Sequence, residues 1–293
     1  MKTDFKTRVE RAVTASLSFE SDTQCPPMLL EAMRHAVLSG GGRVRPMLCM
    51  AVAAAEGGAE PALVDAAAVA VELLHCASLV HDDLPCFDDA TMRRGQPTVH
   101  RRFGEPMAVL VGDALIVRAF ELVARAPTAH PQRMALIMRE IAAGVGAPGG
   151  IVAGQAWESE PNVELTAYHR AKTAALFESA VAAGAAAVGA DPDRWRALGT
   201  RLGEAYQVAD DLADVLSSPD LMGKPTGQDT SLHRPSAVGE LGVDGAICRM
   251  NQLIEDTVAA VPPCAGRNEL IKLVESIATR LFSSAPPALA AAI

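Results

Sequence analysis

The stretch that decides the fold is His75–Arg94, HCASLVHDDLPCFDDATMRR. It places four aspartates in eight residues and two arginines just after them: Asp82, Asp83, Asp88, Asp89, Arg93 and Arg94. Crowded carboxylates repel one another, so their ionised forms need a neutralising cation. All-oxygen ligands suit Mg²⁺, which also bridges to phosphate oxygens, and guanidinium groups match phosphate geometry. The stretch indicates a joint metal and phosphate site, although an isolated acidic cluster can also be a solvated loop.

A second acidic cluster, QVADDLAD, lies far downstream at Gln207–Asp214. Residues 204–218 are apolar-periodic and contain neither Gly nor Pro, which predicts a helix. Residues three, four and seven apart share a helix face, so one side is expected to carry Gln207, Asp210, Asp211 and Asp214. Like charges at this spacing repel, and a metal site accounts for them better than a purely structural role. In the first cluster, Pro85 should end the helix after Asp83, and Asp88 would reach the ions from a loop.

The rest of the chain predicts an all-α fold. Alanine-rich helical periodicity continues through the 293 residues without a linker, and strand-like runs are scarce. We therefore expect one domain over residues 1–293, with residues 1–10 and 283–293 frayed. The net charge of −9 argues against nucleic acid as a partner and against attraction to an anionic membrane surface.

The cysteines and the apolar runs bear on the compartment. Six cysteines show no CxxC spacing, so neither a zinc site nor a disulfide framework is indicated, and a reducing cytoplasm fits best. The charged segment Met1–Glu10 is unlike a signal peptide. No apolar run reaches the roughly 18 uninterrupted residues of a membrane span, and we expect none.

The two clusters, DDLPCFDD followed by RRG and then DDLAD, resemble the paired aspartate-rich motifs of the trans-isoprenyl diphosphate synthases of the farnesyl/geranylgeranyl type. The resemblance covers nearly the whole chain. It includes SGGGRVRPML at Ser39–Leu48, similar to the family's GGKRxRP, and AGQAWES at Ala153–Ser159, similar to GGQxxD. It implies a large helical bundle around a central cavity, a homodimer, and a Mg²⁺-dependent prenyltransferase that condenses isopentenyl diphosphate with C5 to C15 allylic diphosphates through an allylic cation.

The resemblance also implies residue roles. Three Mg²⁺ ions would be held by Asp82, Asp83, Asp88, Asp210, Asp211 and Asp214. The diphosphates of the two substrates would be bound by Arg45, His75, Arg93, Arg94, Lys172, Lys224 and Arg234. Lys172 and Thr173 would shield the cation and Gln207 would face the allylic carbon, which makes these three the candidate catalytic residues. Gln155 is a candidate lining residue, with a surface amide as the alternative, and Glu158 takes the acidic place of GGQxxD.

One departure concerns the glycine-rich turn. Gly42 stands where the family has a diphosphate-binding lysine, so one expected contact is missing. We expect Arg43 or another base to compensate, or the affinity for isopentenyl diphosphate to be weaker. Outside this context, the same residues would be an ordinary turn with two surface arginines.

Product length should follow from the floor of the cavity. Ala77 stands five residues before Asp82, between Cys76 and Ser78, and all three are small. Family enzymes that stop at C15 tend to carry an aromatic residue here, so the open floor favours a C20 product. The sequence resembles the bacterial geranylgeranyl diphosphate synthases of purple-bacterial carotenoid and bacteriochlorophyll pathways.

Other functions remain open at this point. One is a farnesyl diphosphate synthase, which stops at C15. Another is a non-catalytic partner subunit of a synthase, which Gly42 and the loss of the family's Tyr-Pro at Ala237 and Val238 would favour. Terpene cyclases and head-to-head synthases are disfavoured by the intact DDLAD and by Arg45, His75 and Arg94.

Overall fold

The computed structural model describes residues 4–19, 25–162, 164–216 and 236–283. Over these residues the chain is helical apart from one short hairpin and connecting turns, which confirms the predicted all-α class. The helices are α1 (Phe5–Ser16), α2 (Pro27–Leu38), α3 (Val44–Ala55), α4 (Pro61–Asp82), α5 (Val99–Phe103), α6 (Glu105–Arg125), α7 (Pro131–Val145), α8 (Ile151–Trp157), α9 (Leu165–His169), α10 (Ala175–Val188), α11 (Arg196–Leu216), α12 (Ala237–Ala259) and α13 (Arg267–Ser283). The hairpin pairs β1 (Met92–Arg93) with β2 (Gln96–Pro97) in antiparallel register.

Helix α10, with the sequence ALFESAVAAGAAAV, is the centre of the bundle. It is apolar on every side and buried over most of its length, as expected of a helix surrounded by others. It packs against α3, α4, α7 and α11. A Cβ on Gly184 would stand 2.3 Å from the carbonyl oxygen of Cys49 on α3. On α11, a Cβ on Gly203 would stand 2.4 Å from Cα of Ala174, just before α10. The neighbouring backbones can come this close because the side chains between them are absent or small.

A π-helical turn, Arg170–Ala174, connects α9 to α10. Such turns insert an extra residue into a helix and are frequent at functional sites. Helix α8 crosses this turn closely, since a Cβ on Gly154 would lie 2.4 Å from both N and Cα of Lys172. The π turn and α8 therefore form one packed unit beside α11.

Two long segments could be mistaken for membrane spans. Helix α4 and the run Leu165–Val188 are long and apolar enough to cross a membrane by length and composition alone. In each, 72% of the most apolar 18-residue window is buried inside the protein. This burial is typical of core helices, so the two segments are explained by packing within the fold.

The ends of the helices agree with most of the sequence expectations. Helix α4 ends at Asp82, as Pro85 predicted. The fraying predicted for residues 1–10 is wrong for 5–10, which form the first half of α1. Asp4 caps this helix by accepting a hydrogen bond from the backbone N–H of Thr7 over 3.2 Å, and Val9 is completely buried. Residues 284–293 lie outside the described part of the chain.

A second apolar cluster fixes the other side of α11. Ala205, Val208 and Leu212 of α11 belong to the same buried cluster as Met250 and Leu253 of α12. Since Gly199 and Gly203 of α11 lie against residues 174–178, this helix is held between two neighbours. Its rotation, and with it the direction of its aspartates, is set by these contacts.

We predict that Gly184→Ala lowers the free energy of unfolding by about 1–3 kcal/mol, because the added methyl group meets the backbone of α3. The clash outweighs the gain in helix propensity of about 1 kcal/mol. Denaturant unfolding would measure the change. Gly149→Ala is the control, since a Cβ there meets nothing within 4 Å. Equal unfolding free energies for the two variants would contradict the close packing.

Candidate active site

A cavity of about 880 Å³ opens between α4, α6, α8, the π turn and α11. Most of the residues predicted from the sequence line it together: Arg45, His75, Ala77, Ser78, Asp82, Asp88, Arg93, Arg94, Lys172, Thr173, Gln207, Asp210 and Asp214. The cavity thus combines carboxylates, bases and apolar side chains from segments far apart in the sequence.

Carboxylates reach the cavity from two elements. Asp82 is the last residue of α4, and Asp88 lies in the turn that follows. The backbone N–H of Asp88 donates to the carbonyl oxygen of Asp82 over 3.0 Å, which folds the turn back toward the helix end. Asp210 and Asp214, one helical turn apart on α11, line the same cavity.

Asp82 is electrostatically strained. Burial raises the pKa of its carboxyl group to about 6, the Lys172 ammonium partly offsets this rise, and the Asp88 carboxylate adds to it. Its Oδ1 atom is buried and has no hydrogen-bond partner among the described residues. A carboxylate with an unpartnered buried oxygen and another acid nearby would be stabilised by a cation.

The residues present fit Mg²⁺ as part of a shared site. Within the described residues, no three His, Cys, Asp or Glu side chains converge as a ready-made metal cage. Mg²⁺ is commonly held by one or two carboxylates, with water and substrate phosphates supplying the other oxygens. The unpartnered Oδ1 of Asp82 and the carboxylates from two elements suit this mode of binding.

The position of Asp83 contradicts the prediction that this residue is a metal ligand. It is 4% exposed, and its Oδ1 accepts hydrogen bonds from Arg93 Nε over 3.0 Å and from Arg93 Nη2 over 2.5 Å. It does not line the main cavity, because it follows Asp82 on the helix and points in a different direction. Asp83 orients Arg93, which does line the cavity.

The position of Asp211 likewise contradicts the prediction that this residue is a metal ligand. It is 2% exposed and accepts hydrogen bonds from Gln207 Nε2 over 2.8 Å and from the backbone N–H of Ala237 over 2.7 Å. It is absent from the cavity lining. Its carboxylate joins α11 to the first residue of α12. Of the three aspartates that were predicted to share one face of α11, Asp210 and Asp214 line the cavity and Asp211 does not.

The basic side of the cavity contains Arg45 and His75. Arg45 Nη1 lies 3.4 Å from His75 Nε2, and the guanidinium carbon is 4.2 Å from the centre of the Phe177 ring. Arg45 Nε is buried without a hydrogen-bond partner among the described residues. Burial, followed by the charges of Arg45 and Arg94, holds the pKa of His75 well below its ordinary value. His75 is therefore neutral near pH 7, and the positive charge of this region comes from the arginines.

Arg94 reaches the cavity from the turn of the hairpin. Its backbone is left-handed, with φ of 53°, and Gly95 follows with φ of 73°, as hairpin turns of two residues require. Arg94 Nη1 donates to the carbonyl oxygen of Gly40 over 2.6 Å. A Cβ on Gly41 would stand 2.7 Å from the guanidinium carbon. The glycine-rich turn therefore makes room for Arg94.

Arg43 is placed differently from the prediction. Its side chain is fully buried and donates to Glu72 over 2.5 Å, to Glu10 over 3.0 Å and to the carbonyl oxygen of Val37 over 2.8 Å. Its left-handed backbone, with φ of 50°, turns the side chain into the core at the start of α3. These contacts correct the prediction that Arg43 binds a diphosphate in place of the residue missing at Gly42.

The candidate catalytic residues lie side by side on the wall formed by the π turn and α11. Thr173 Oγ1 donates to Gln207 Oε1 over 2.5 Å, while Gln207 Nε2 donates to Asp211. The carboxamide is thereby fixed with its oxygen toward Thr173. Lys172 donates to Glu158, behind the wall. Lys224 and Arg234, predicted to bind substrate, lie outside the described residues.

The floor residues are only partly as predicted. Ala77 and Ser78 line the cavity, and Leu74 continues the lining along α4. Cys76 is 1% exposed and does not line it, since its thiol points toward Glu72 at 3.9 Å. Cys76 is thus removed from the set of predicted chain-length residues.

Several lining residues were missed in the sequence. They are His81, Tyr168 and Tyr206, together with Asp113, to which the sequence gave no chemistry. Of these four, only Tyr206 had a usable signal, since it stands four residues before Asp210 in the predicted helix, which is the spacing of one helix face. Asp113 follows Gly112, whose missing Cβ would lie 1.9 Å from Nε2 of His81. No sequence spacing relates these two helices.

Comparison with known proteins identifies the family of this chain. The family described as polyprenyl synthetase matches residues 26–258. The chain is 50% identical to a geranylgeranyl diphosphate synthase of Cereibacter sphaeroides, over 94% of this chain and 96% of that protein. It is also 38% identical to a probable farnesyl diphosphate synthase of Bradyrhizobium diazoefficiens, over 96% and 87% of the two chains.

A solved structure is similar over the same length. It is a geranyltransferase from Helicobacter pylori complexed with magnesium and isoprenyl diphosphate. The TM-score is 0.81 and the identity 30%, over 94% of this chain and 96% of that one. Both the extent of the family match and the identity to full-length relatives lead to one conclusion: this chain belongs to the polyprenyl synthetase family.

Proposed function

We propose that this protein is a geranylgeranyl diphosphate synthase that condenses isopentenyl diphosphate with C5 to C15 allylic diphosphates. One observation carries the proposal: acids from two elements, bases and an apolar floor share one cavity. The names of relatives that match nearly the whole chain support it. We further propose a single domain, three Mg²⁺ ions, a homodimer and a cytoplasmic location, with the C20 product used for carotenoid or bacteriochlorophyll synthesis.

The proposed reaction begins with loss of the allylic diphosphate. Bound Mg²⁺ would neutralise the charge that develops on the departing diphosphate. Asp82, Asp88, Asp210 and Asp214 would hold the ions, and Arg93 and Lys172 would contact the diphosphate directly. The Lys224 and Arg234 positions are proposed for the same diphosphate on the resemblance alone.

The acceptor is proposed to bind on the other side of the cavity. Arg45 and Arg94 provide the charge for the diphosphate of isopentenyl diphosphate, and neutral His75 provides a hydrogen bond without competing with them. The double bond of this substrate attacks the allylic cation, and Thr173 and Gln207, which are hydrogen-bonded to each other in the cavity wall, are proposed to face this cation. Loss of a proton to the departed diphosphate completes the new allylic product.

The length of the product is proposed to follow from the apolar lining. Ala77 and Leu74 lie five and eight residues before Asp82 on α4, which places them about 7.5 and 12 Å along the helix from Asp82. Ile116, Val145 and Ile151 continue this lining from neighbouring helices. A small residue at 77 leaves room for a chain to grow past it.

A product assay tests the function itself. Labelled isopentenyl diphosphate is incubated with C5, C10 or C15 allylic diphosphate and Mg²⁺, and the product is separated by chromatography. A C20 product is expected from each primer. A C15 end product would favour a farnesyl diphosphate synthase, which the similarity to the Bradyrhizobium protein keeps as the second candidate. Absence of any product would favour a non-catalytic partner subunit.

We predict that Asp82→Asn lowers kcat at least about a hundredfold and raises the Mg²⁺ concentration needed for half-maximal activity, because a cavity carboxylate is lost. Chelation of divalent ions should abolish the activity of the unaltered protein. Steady-state rates over a Mg²⁺ titration measure both effects. Asp89→Asn is the matched control, since Asp89 is exposed and paired with Arg101 on the surface. If both variants shift the titration equally, Asp82 has no special role.

We predict that Ala77→Phe shortens the main product from C20 to C15, because an aromatic ring would fill the lining about one and a half turns from Asp82. Chromatography of the products measures the length. Ala77→Ser should leave the length unchanged, as it adds a single atom. An unaltered C20 product from the Phe variant would refute the assignment of the floor.

A further inference from the structure

We infer that Glu158 is a positioning residue that holds Lys172 in place from behind the cavity wall. The inference rests on the proposed function, in which Lys172 contacts the allylic diphosphate. Glu158 follows directly after α8, and its side chain is 10% exposed. Its carboxylate is absent from the cavity lining, whereas Gln155, Tyr168 and Lys172 all line the cavity. A carboxylate that contacts three wall residues from outside the cavity is suited to orient them.

Both oxygens of the carboxylate are used. Glu158 Oε1 accepts hydrogen bonds from the Tyr168 hydroxyl over 2.7 Å and from the Lys172 ammonium. Glu158 Oε2 accepts one from Gln155 Nε2 over 2.9 Å. The Lys172 ammonium also lies 5.5 Å from the centre of the Tyr168 ring. A lysine has a long, flexible side chain, and contacts of this kind restrict where its charge can lie.

The backbone supports the same arrangement. Gly154 allows α8 to touch the π turn at Lys172, so that the end of α8 lies beside the base of the lysine side chain. Tyr168 precedes Lys172 by one turn and comes from the adjoining α9. Three features therefore restrict the surroundings of Lys172: the close contact at Gly154, the π turn and the three hydrogen bonds to Glu158. An aspartate at 158 would be one methylene shorter and would not reach all three donors.

A purely structural role is the competing explanation. In that case Glu158 would only fasten α8 to the π turn, and its loss would affect both substrates alike. Its effect would also add to that of losing Lys172. If Glu158 acts through Lys172, the effects of the two substitutions on kcat/KM are not additive. The loss of Glu158 has then already impaired Lys172, so that removing Lys172 as well adds little.

A double-mutant cycle with Glu158→Gln and Lys172→Ala distinguishes these roles. Glu158→Gln is expected to lower kcat/KM for the allylic diphosphate at least about tenfold, since charge-assisted contacts are among the strong ones. The KM for isopentenyl diphosphate should change less than about twofold, because its proposed partners lie on α3, α4 and the hairpin. In the Lys172→Ala background, Glu158→Gln should change kcat/KM less than about twofold. Additive losses, or equal effects on both substrates, would overturn the inference.

Two further variants keep the test decisive. Glu160→Gln is the matched control, being an exposed glutamate two residues away, and it should behave like the unaltered protein. Thermal denaturation checks that each variant is folded. Should Glu158→Gln not fold, Glu158→Asp replaces it in the cycle: it retains the buried charge and should show the same lack of additivity. If the unaltered protein forms no prenyl product, the proposed function fails rather than this inference.

Discussion

Repulsion between like charges is the constraint on which this structure depends. Asp82, Asp88, Asp210 and Asp214 share one cavity, and burial raises the pKa of Asp82, whose charge is therefore costly. The acids come from two elements, and Arg93, Arg94 and Lys172 line the same cavity with their positive charges. Other carboxylates, at Asp83, Asp211 and Glu158, lie behind the wall and each fixes a polar group that faces the cavity. The acids that point into the cavity are thus suited to bind cations, whereas the acids that point away from it hold neighbouring side chains in position.

The geometry of the cavity walls depends in turn on the small residues around α10. Glycines on α8, α10 and α11 bring backbones into contact at Lys172, Cys49 and Ala174. Bulkier side chains at these contacts would push α8 and α11 outward and widen the distance between the cavity walls. These glycines thus help to set the distance between the cavity walls, although none of them lines the cavity.

Much of the fold and of the site could be predicted from the sequence. Helical periodicity gave the all-α class, Pro85 gave the end of α4, and the spacing of the acidic clusters identified acids that line one cavity. Spacing could not separate Asp210 from Asp211, because neighbours on a helix differ by only about 100° and packing against α12 decides which one is buried. Nor could spacing predict that the Arg43 side chain points into the core. This direction depends on the left-handed backbone of Arg43 and on the acids at positions 10 and 72. Tyr168 and Asp113 come together with the acids only through tertiary contacts.

The π turn at Arg170–Ala174 has a consequence for comparing this chain with others. An extra residue in one turn shifts the helical phase, so positions before and after it that are four apart in sequence no longer project in the same direction. An insertion or deletion between α9 and α10 would rotate Tyr168 relative to the residues that follow. Alignments of related chains should therefore preserve the number of residues between Tyr168 and Thr173 more strictly than the identity of the residues between them.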